Sequence, residues 1–261
     1  MKVVATIYTD FSEKFGIPRQ GALAHESEGI IVFEPEYRME EALRGIEKYS
    51  HLWLLWQFSE NVSKKWSPTV RPPRLGGNKR VGVFATRSPF RPNPIGLTAV
   101  RLIGVEQTKN EGAVLRVAGV DLMNGTPIYD IKPYLPYADS IPEASLGFAG
   151  EHLMDVLEVV CSDELWGKIP EDKRGALEEV LSQDPRPAYH EDETRKYGME
   201  FAGFDIIFHV KEKVLYVDEI KKGNLTTKSK LLISISYQNY MKRSANYGLI
   251  NIFRQCCNDS S

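Results

Sequence analysis

The chain has 261 residues, of which 42% are hydrophobic and 26% charged, the composition of an ordinary soluble globular protein with one large domain or two smaller ones. We expect no membrane span, because no apolar run is long enough, and no signal peptide, because MKVVATIYTD lacks that pattern. Three cysteines, two of them adjacent at 256 and 257, and five scattered histidines indicate neither a disulfide framework nor a metal site, so we expect a cytoplasmic protein without metal.

Residues 1–150 are predicted to form mainly short strands, rich in β-branched and aromatic residues and bounded by turn residues. One helix interrupts them, where Met39, Ala42, Leu43 and Ile46 recur at helical spacing. Short strands without alternating helices favour a mainly β fold, a barrel or sandwich, over a parallel α/β sheet. The candidate strands are Val3–Tyr8, Ile30–Phe33, Leu52–Phe58, Val81–Ala85, Leu97–Val105, Ala113–Val120 and Ile128–Ile131.

After residue 150 the pattern changes to that of a small α+β domain, which we place at residues 151–220. Two amphipathic helices, a proline-rich loop and a β-hairpin are predicted there. They are Glu151–Cys161, Glu171–Leu181, Asp184–Tyr189, and the strand pair Phe204–Val210 and Val214–Val217. Residues 221–261 are predicted to be a C-terminal tail of no assignable role, with one candidate strand at Leu231–Tyr237.

The net charge of −2 hides an uneven distribution of charge along the chain. No acidic residue occurs between Glu60 and Glu106, whereas nine basic residues do. Because these basic residues lack neighbouring carboxylates, they are available to an outside polyanion. A solvated basic loop is the alternative, but the arginines alternate with rigid prolines and glycines, so we favour nucleic-acid binding. The candidate nucleic-acid-binding residues are Arg71, Arg74, Lys79, Arg80 and Arg91.

The segment from Gly82 to Leu97, GVFATRSPFRPNPIGL, is the richest in functional signals. Each proline fixes its own φ and keeps the preceding residue extended, so such a loop loses little entropy when it binds a ligand. Arginines on a rigid frame can bind a carboxylate or a phosphate with two parallel hydrogen bonds. A stiff connector whose arginines pair with carboxylates elsewhere is the alternative, and the residues alone leave both interpretations open.

Five blocks of sequence, in matching order, resemble the TsaA/YaeB-like family, whose characterised members are called TrmO. The blocks are KFGIPRQ at 14–20, YSHLW and the strand to Phe58, RPPR at 71–74 with the segment 82–97 just described, DLMNGTPIYDIKPYLP at 121–136, and DPRPAY at 184–189. The resemblance implies an S-adenosylmethionine-dependent tRNA (adenine N6) methyltransferase that is a homodimer and binds its cofactor on a β-barrel. The chain has no G-x-G-x-x-G fingerprint after a strand, in agreement with a non-Rossmann fold.

The resemblance also implies a cofactor pocket. Arg87 suits a contact with an anionic group or a stacking contact, and Phe58 and Leu97 can form walls for the adenine ring. The turn Asn124–Pro127 can present backbone donors and acceptors, whereas Ser59 departs from the histidine of some relatives. The candidate cofactor-binding residues are Pro18, Arg19, Gln20, Phe58, Ser59, Arg87, Leu97, Asn124, Gly125, Thr126 and Pro127.

Asp130, Lys132 and Tyr134 form a second polar cluster and are the candidate catalytic residues. Asp130 can accept a proton from the target nitrogen, and Tyr134 can stack on the base. The alternatives are an ion pair between Asp130 and Lys132 and a core position for Tyr134. We expect His51 to be structural.

The expected substrate is the adenosine 3′ of the anticodon, already carrying a threonylcarbamoyl group, in tRNA and above all in threonine tRNA. Two other functions stay open from the sequence. One is a tRNA-binding module that has lost activity, and the other is a methyltransferase acting on a protein or a small molecule. We also expect Trp53, Trp56 and Trp66 to lie in the core or an interface, not to stack on bases.

Overall fold

The N-terminal half of the chain folds into a closed β-barrel, seen in a computed structural model that describes residues 1–18, 20–61, 66–72, 79–152, 156–186 and 192–223. The strands are β1 (Ala5–Thr9), β2 (Glu28–Phe33), β3 (His51–Gln57), β4 (Thr69–Val70), β5 (Val81–Gly82), β6 (Ile95–Thr108), β7 (Gly112–Ala118), β8 (Thr126–Pro133), β9 (Glu158–Val160), β10 (Tyr197–Phe201), β11 (Phe204–Lys211) and β12 (Val214–Lys222). The α-helices are α1 (Glu40–Leu43), α2 (Pro136–Asp139), α3 (Asp163–Trp166) and α4 (Glu171–Ser182). Around the barrel the strand order is β1-β2-β7-β6-β3-β8, which confirms the mainly β, barrel-type fold.

Alternating side chains explain why these strands close into a barrel. Leu52, Leu54 and Trp56 of β3 are buried, while the residues between them face outward, as the two-residue period of a strand requires. Strand β6 is long enough to pair with β3 through its first half and with β7 through its second. A register shift between Leu102 and Gly104 lets β6 bend from one partner to the other.

The antiparallel register gathers three long connections at one end of the barrel. Strands β1, β3 and β7 end there, and β2, β6 and β8 begin there. The connections are residues 10–27, 58–94 and 119–125. Segments that are far apart in the sequence therefore meet at this end, and it is here that a ligand site can be assembled from all three.

The C-terminal part of the chain forms a four-stranded sheet in the order β10-β11-β12-β9, with β9 parallel to β12. Helix α4 buries an apolar face consisting of Ala176, Leu177, Val180 and Leu181. Most buried residues of the barrel and those of this sheet belong to one hydrophobic cluster, and Ile30, Val32 and Val114 of the barrel form a second. The Phe11 and Phe201 rings meet edge to face at 5.7 Å, and the Ala202 N–H donates to the Asp10 carbonyl at 3.0 Å. The domain division at residue 150 stays a prediction.

Three local predictions are wrong in the part of the chain that the structure describes. Glu151–Cys161 is not a helix: a 3-10 turn ends at His152, and β9 follows because it pairs with β12. The predicted strand Val81–Ala85 stops at Gly82, where its two-residue partner β4 ends, and a 3-10 turn follows. The predicted helix at Met39–Ile46 is a single turn, because Gly45 adopts a left-handed φ of 90°.

The C-terminal limit of the fold also differs from the prediction. Residues 221 and 222 belong to β12, so the predicted tail begins too early. Strand β10 went unpredicted, while α4 and the hairpin of β11 and β12 confirm the patterns seen in the sequence. Residues 187–191 and residues 224–261 lie outside the described residues. The first stretch includes the end of the predicted loop Asp184–Tyr189, and the second includes the candidate strand Leu231–Tyr237. Within the described ranges no helix is both long and apolar enough to cross a membrane.

Candidate cofactor pocket

A cavity of about 680 Å³ lies at the end of the barrel where the three long connections meet. Its size falls within the roughly 300–1,000 Å³ that is typical of small-molecule sites. Strands β3 and β6 supply an aromatic and apolar wall, and the segments 14–21 and 86–91 supply the lysine and the two arginines of the lining. The lining residues are Lys14, Ile17, Pro18, Gln20, Gly21, Trp53, Trp56, Gln57, Phe58, Ser59, Glu60, Thr86, Arg87, Pro89, Arg91, Ile95, Gly96, Leu97, Thr98, Ala99, Asp121, Met123 and Thr126.

Two arginines of the segment 82–97 take different roles at this pocket. The guanidinium of Arg87 donates a hydrogen bond to the side-chain oxygen of Gln20, which ties the loop to the first connection. Arg91 turns back onto its own loop and donates to the carbonyl oxygens of Thr86 at 2.9 Å and Ser88 at 3.3 Å. Arg91 therefore braces the loop in this structure, and its expected contact with nucleic acid stays a prediction.

A partly buried carboxylate at the pocket, that of Asp121, is a feature that the sequence did not lead us to predict. The Thr98 hydroxyl donates to its Oδ1 at 2.7 Å, and the Gly21 N–H donates to its Oδ2 at 3.0 Å. The Trp56 indole N–H donates in turn to the Thr98 hydroxyl at 3.1 Å. Burial raises the pKa of the Asp121 carboxyl, and these hydrogen bonds and the charge of Arg87 oppose that rise.

Close backbone approach makes this arrangement specific to glycine at position 21. A Cβ atom on Gly21 would lie 2.1 Å from the carbonyl oxygen of Gly119, which is backbone and cannot move aside. The signal that could have revealed Asp121 is a carboxylate in an otherwise apolar run, Gly119-Val120-Asp121-Leu122-Met123. A charged residue in such a run is seldom buried unless it is hydrogen-bonded or functional.

The structure brings together most of the predicted cofactor-binding residues. The predicted residues that line the pocket are Pro18, Gln20, Phe58, Ser59, Arg87, Leu97 and Thr126. Arg19 lies outside the described residues. Asn124, Gly125 and Pro127 are not among the lining residues. The Asn124 side-chain oxygen instead accepts the Thr9 N–H at 3.2 Å, and the Gly125 N–H donates to the Ile7 carbonyl at 2.9 Å, so this turn is held against β1.

The three candidate catalytic residues lie on or just after β8, beside the pocket wall but not in its lining. The Lys132 ammonium and the Asp130 carboxylate are 2.9 Å apart, with both side chains about half exposed. The Tyr134 ring lies 5.4 Å from that of Trp53, which does line the pocket. His51 hydrogen-bonds Ser50 and lies 6.3 Å from the Tyr134 ring. The ion-pair alternative for Asp130 is therefore present, and its expected role in proton transfer stays a prediction.

The basic candidates gather on the short hairpin formed by β4 and β5. Val70 pairs with Val81, so the next positions outward along the hairpin are those of Arg71 and Arg80. Arg80 also donates to the Thr69 hydroxyl at 2.8 Å, and Lys79 is exposed. None of these three basic residues forms an ion pair in the described part of the chain. Arg74 lies outside the described residues.

The fold and the pocket together define a β-barrel protein with a cavity of small-molecule size at one barrel end, and with a basic hairpin in the connection between β3 and β6. The chain belongs to the TrmO family: the model of the tRNA-methyltransferase O N-terminal domain matches residues 6–140, and that of the TrmO C-terminal domain matches residues 158–223.

Individual relatives agree with this assignment. The tRNA (adenine(37)-N6)-methyltransferase of Escherichia coli K12 is 42% identical over 215 residues, which cover 79% of this chain and 91% of that protein. A putative S-adenosylmethionine-dependent methyltransferase of Pseudomonas aeruginosa, RcsF, is 41% identical over 214 residues, which cover 79% and 90%. The crystal structure of TrmO from Pseudomonas aeruginosa aligns with a TM-score of 0.69 and 33% identity, covering 85% of this chain and 97% of that one.

Proposed function

We propose that the chain is an S-adenosylmethionine-dependent methyltransferase that acts on N6 of adenosine 37 in tRNA, the nucleotide 3′ of the anticodon. The observation that carries this proposal is the convergence of Pro18, Phe58, Arg87 and Thr126, from segments far apart in the sequence, on one pocket of small-molecule size. The family and its named relatives support the same activity. We propose that the protein acts in the cytoplasm.

The residues at the pocket fit the chemistry of S-adenosylmethionine. Its adenine needs an aromatic and apolar wall, which Phe58, Trp53 and Leu97 offer. Its amino-acid end needs charged partners, of which the pocket holds both signs in Arg87 and Asp121. When bound, the cofactor supplies a methyl group that its sulfonium makes electrophilic. The contribution of the chain is to hold the acceptor nitrogen in line with that methyl group, and positioning of this kind supplies a large part of an enzyme's rate gain.

The basic hairpin is the proposed contact with the tRNA backbone. Arg71, Lys79 and Arg80 lie next to the paired residues of β4 and β5, and the loop bearing Arg87 follows β5 along the chain. Phosphate contacts by such residues fix the register of a nucleic acid without reading its sequence. The hairpin would in this way deliver the anticodon loop to the pocket, where an unstacked base can enter.

The proposed acceptor is an adenosine that already carries a threonylcarbamoyl group, with threonine tRNA as the first substrate to test. The lone pair of a plain exocyclic amine is delocalised into the ring, whereas the carbamoylated nitrogen has a more acidic proton. The attached carboxylate also gives a basic side chain a group to bind.

Methyl incorporation into tRNA tests both the activity and the acceptor. Threonine tRNA from cells with and without the threonylcarbamoyl modification is incubated with the protein and radiolabelled S-adenosylmethionine, and labelling of only the modified tRNA is expected. Equal labelling of the two would overturn the premodified acceptor while leaving the methyltransferase in place. Cofactor binding without labelling of either tRNA would favour a protein or small-molecule acceptor. Tight tRNA binding without cofactor binding would identify an inactive binding module.

Asp130 is the proposed proton acceptor, with Lys132 positioning its carboxylate and Tyr134 stacking on the base. The Asp130→Asn substitution should lower kcat by about 100-fold or more, the usual contribution of a general base, and leave cofactor affinity unchanged. The matched control is Asp139→Asn, at another exposed carboxylate just beyond β8. If Asp130→Asn retained full kcat, the ion-pair interpretation would account for the residue completely.

We further propose that the protein is a homodimer whose contact surface borders the pocket. Phe84, Phe90 and Leu97 are large apolar side chains left 73%, 55% and 56% exposed. Leu97 lines the pocket, and Phe84 lies under the guanidinium of Arg91, which also lines it. Apolar residues in one exposed region are typical of an interface. Light scattering should give a dimer for the wild type and a monomer for Phe84→Asp, and a monomeric wild type would overturn this proposal.

A further inference from the structure

The charged residues of the pocket are not equivalent. Those that line it are Lys14, Glu60, Arg87, Arg91 and Asp121. Lys14 donates to the Glu60 carbonyl at 3.2 Å, and Glu60 is an exposed residue. Arg91 is turned onto its own loop carbonyls. This leaves Arg87 and Asp121 as the cation and the anion best placed to meet a ligand inside the pocket.

The Gln20-Gly21 dipeptide holds this cation and anion close to each other. Arg87 donates to the Gln20 side chain, and the next residue, Gly21, donates its N–H to Asp121. Arg87 is near enough to lower the pKa of the Asp121 carboxyl, yet the two form no ion pair with each other among the described residues. A guanidinium and a carboxylate separated by a gap match a zwitterion, which brings one charge of each sign.

Asp121 also has spare hydrogen-bonding capacity. Its two oxygens accept hydrogen bonds from the Thr98 hydroxyl, the Gly21 N–H and its own backbone N–H, whereas a carboxylate can accept about four. Asp121 is partly buried and has no ion-pair partner among the described residues, so an incoming ammonium would offset the cost of holding a charge there. Fixed donors on both oxygens hold the carboxylate in one orientation before the ligand arrives, which favours affinity.

We propose that Arg87 and Asp121 together bind the amino-acid end of S-adenosylmethionine, with its carboxylate on Arg87 and its ammonium on Asp121. This assignment rests on the proposed function, and it adds Asp121 as a cofactor-binding residue that the resemblance did not supply. The two side chains bind opposite charges of the amino-acid end, so replacing each one should weaken the binding of a different set of cofactor analogues.

Calorimetry with a set of trimmed cofactors tests the assignment. The probes are S-adenosylmethionine, its decarboxylated form, S-adenosylhomocysteine and 5′-methylthioadenosine, which lacks the whole amino-acid end. Asp121→Asn should weaken all but 5′-methylthioadenosine by about 10- to 100-fold, the range for a lost hydrogen bond to a charged group. Arg87→Ala should weaken S-adenosylmethionine and S-adenosylhomocysteine but spare the decarboxylated form. Glu219→Gln, at an exposed ion pair with Lys221, is the matched control and should change nothing.

Each of the other outcomes overturns the assignment and indicates what Asp121 does instead or which premise fails. An equal loss for all four ligands in Asp121→Asn would make Asp121 a structural residue of the pocket. A loss confined to the two sulfonium compounds would mean that Asp121 faces the sulfonium. Failure of the wild type to bind any probe would overturn the proposed function itself. If Asp121→Asn does not fold, the wild type decides: equal affinity for S-adenosylhomocysteine and its desamino analogue would exclude an ammonium contact.

Discussion

The ion pair between Lys173 and Asp10 joins helix α4 to the connection that supplies the pocket. The Lys173 Nζ and the Asp10 Oδ2 are 2.7 Å apart, and the two side chains are only 21% and 11% exposed. Burial alone would lower the pKa of Lys173, but the nearby Asp10 carboxylate outweighs it, and the net pKa lies above the ordinary value. The Lys173→Met substitution keeps the aliphatic length and leaves the Asp10 carboxylate buried without its cation.

We expect Lys173→Met to cost about 3 kcal/mol of the free energy of unfolding, the lower end of the range for breaking a buried pair, because Lys173 keeps some exposure. For a chain of this size that corresponds to a fall in Tm of about 6–12 °C. The double variant Asp10→Asn with Lys173→Met should be more stable than Lys173→Met alone, since no lone charge stays buried. Urea denaturation followed by tryptophan fluorescence measures both variants.

The pH dependence gives a second check on the same pair. Because the folded-state pKa of Lys173 is raised, the stabilisation is complete below the unfolded pKa of about 10.4 and is lost as pH rises through the folded value. The stability gap between the wild type and the double variant should therefore be constant at neutral pH and shrink only in strong alkali. Cofactor affinity should fall in Lys173→Met, because residues 14–21 follow Asp10 directly. A Tm of Lys173→Met within about 1 °C of the wild-type Tm would refute the view that this ion pair anchors the connection of residues 10–27.

Three further predictions concern the hairpin, the pocket backbone and the chain end. Replacing Arg71, Lys79 and Arg80 with alanine should weaken tRNA binding. The slope of log affinity against log salt should fall in magnitude by roughly 0.7–0.9 for each phosphate that is no longer bound. An unchanged slope in filter-binding measurements would exclude the hairpin from the interface. Gly21→Ala should lower the free energy of unfolding by about 1–3 kcal/mol, because its Cβ would overpack against the Gly119 carbonyl. Gly82→Ala, whose Cβ would meet nothing within 4 Å, should leave the stability unchanged. Equal melting curves for the two variants would contradict the close approach at Gly21. Truncation after Gly223 should preserve both the fold and methylation, and loss of methylation in a folded truncated protein would assign residues 224–261 a role.

The barrel strands were predictable from the sequence because each carries its own local signal. On β3 the apolar residues that enter the core alternate with outward-facing ones, and turn residues bound most of the strands. The order of the strands around the barrel was not predictable, since β2 pairs with β7 and β3 with β8 across long stretches of sequence. The error at Glu151–Cys161 has the same origin. Leu157, Val159 and Cys161 fit a strand as well as a helix, and only the pairing of β9 with β12 decides between them.

The pocket was predictable only where a contact depends on the type of side chain. Arg87 and Phe58 carry recognisable chemistry, and both line the cavity. The resemblance assigned Asn124 to the cofactor pocket, which stays a prediction, and in this structure its side-chain oxygen accepts the Thr9 N–H. A turn motif does not indicate which partner its polar groups will find, because that depends on the strand beside it.

Asp121 shows what the closed barrel adds to the information in the sequence. In the chain it is a single acid before Leu122, separated by 100 residues from Gly21 and 23 from Thr98, the two groups that hold it. Barrel closure places the connection after β7 beside the one after β1, and the missing Cβ of Gly21 lets the two backbones touch. The same closure brings Arg87 to the other side of Gln20. A charge pair suited to a zwitterion therefore arises from three connections, none of which contains both charges: the resemblance pointed to the arginine, and the fold places the Asp121 carboxylate on the same pocket.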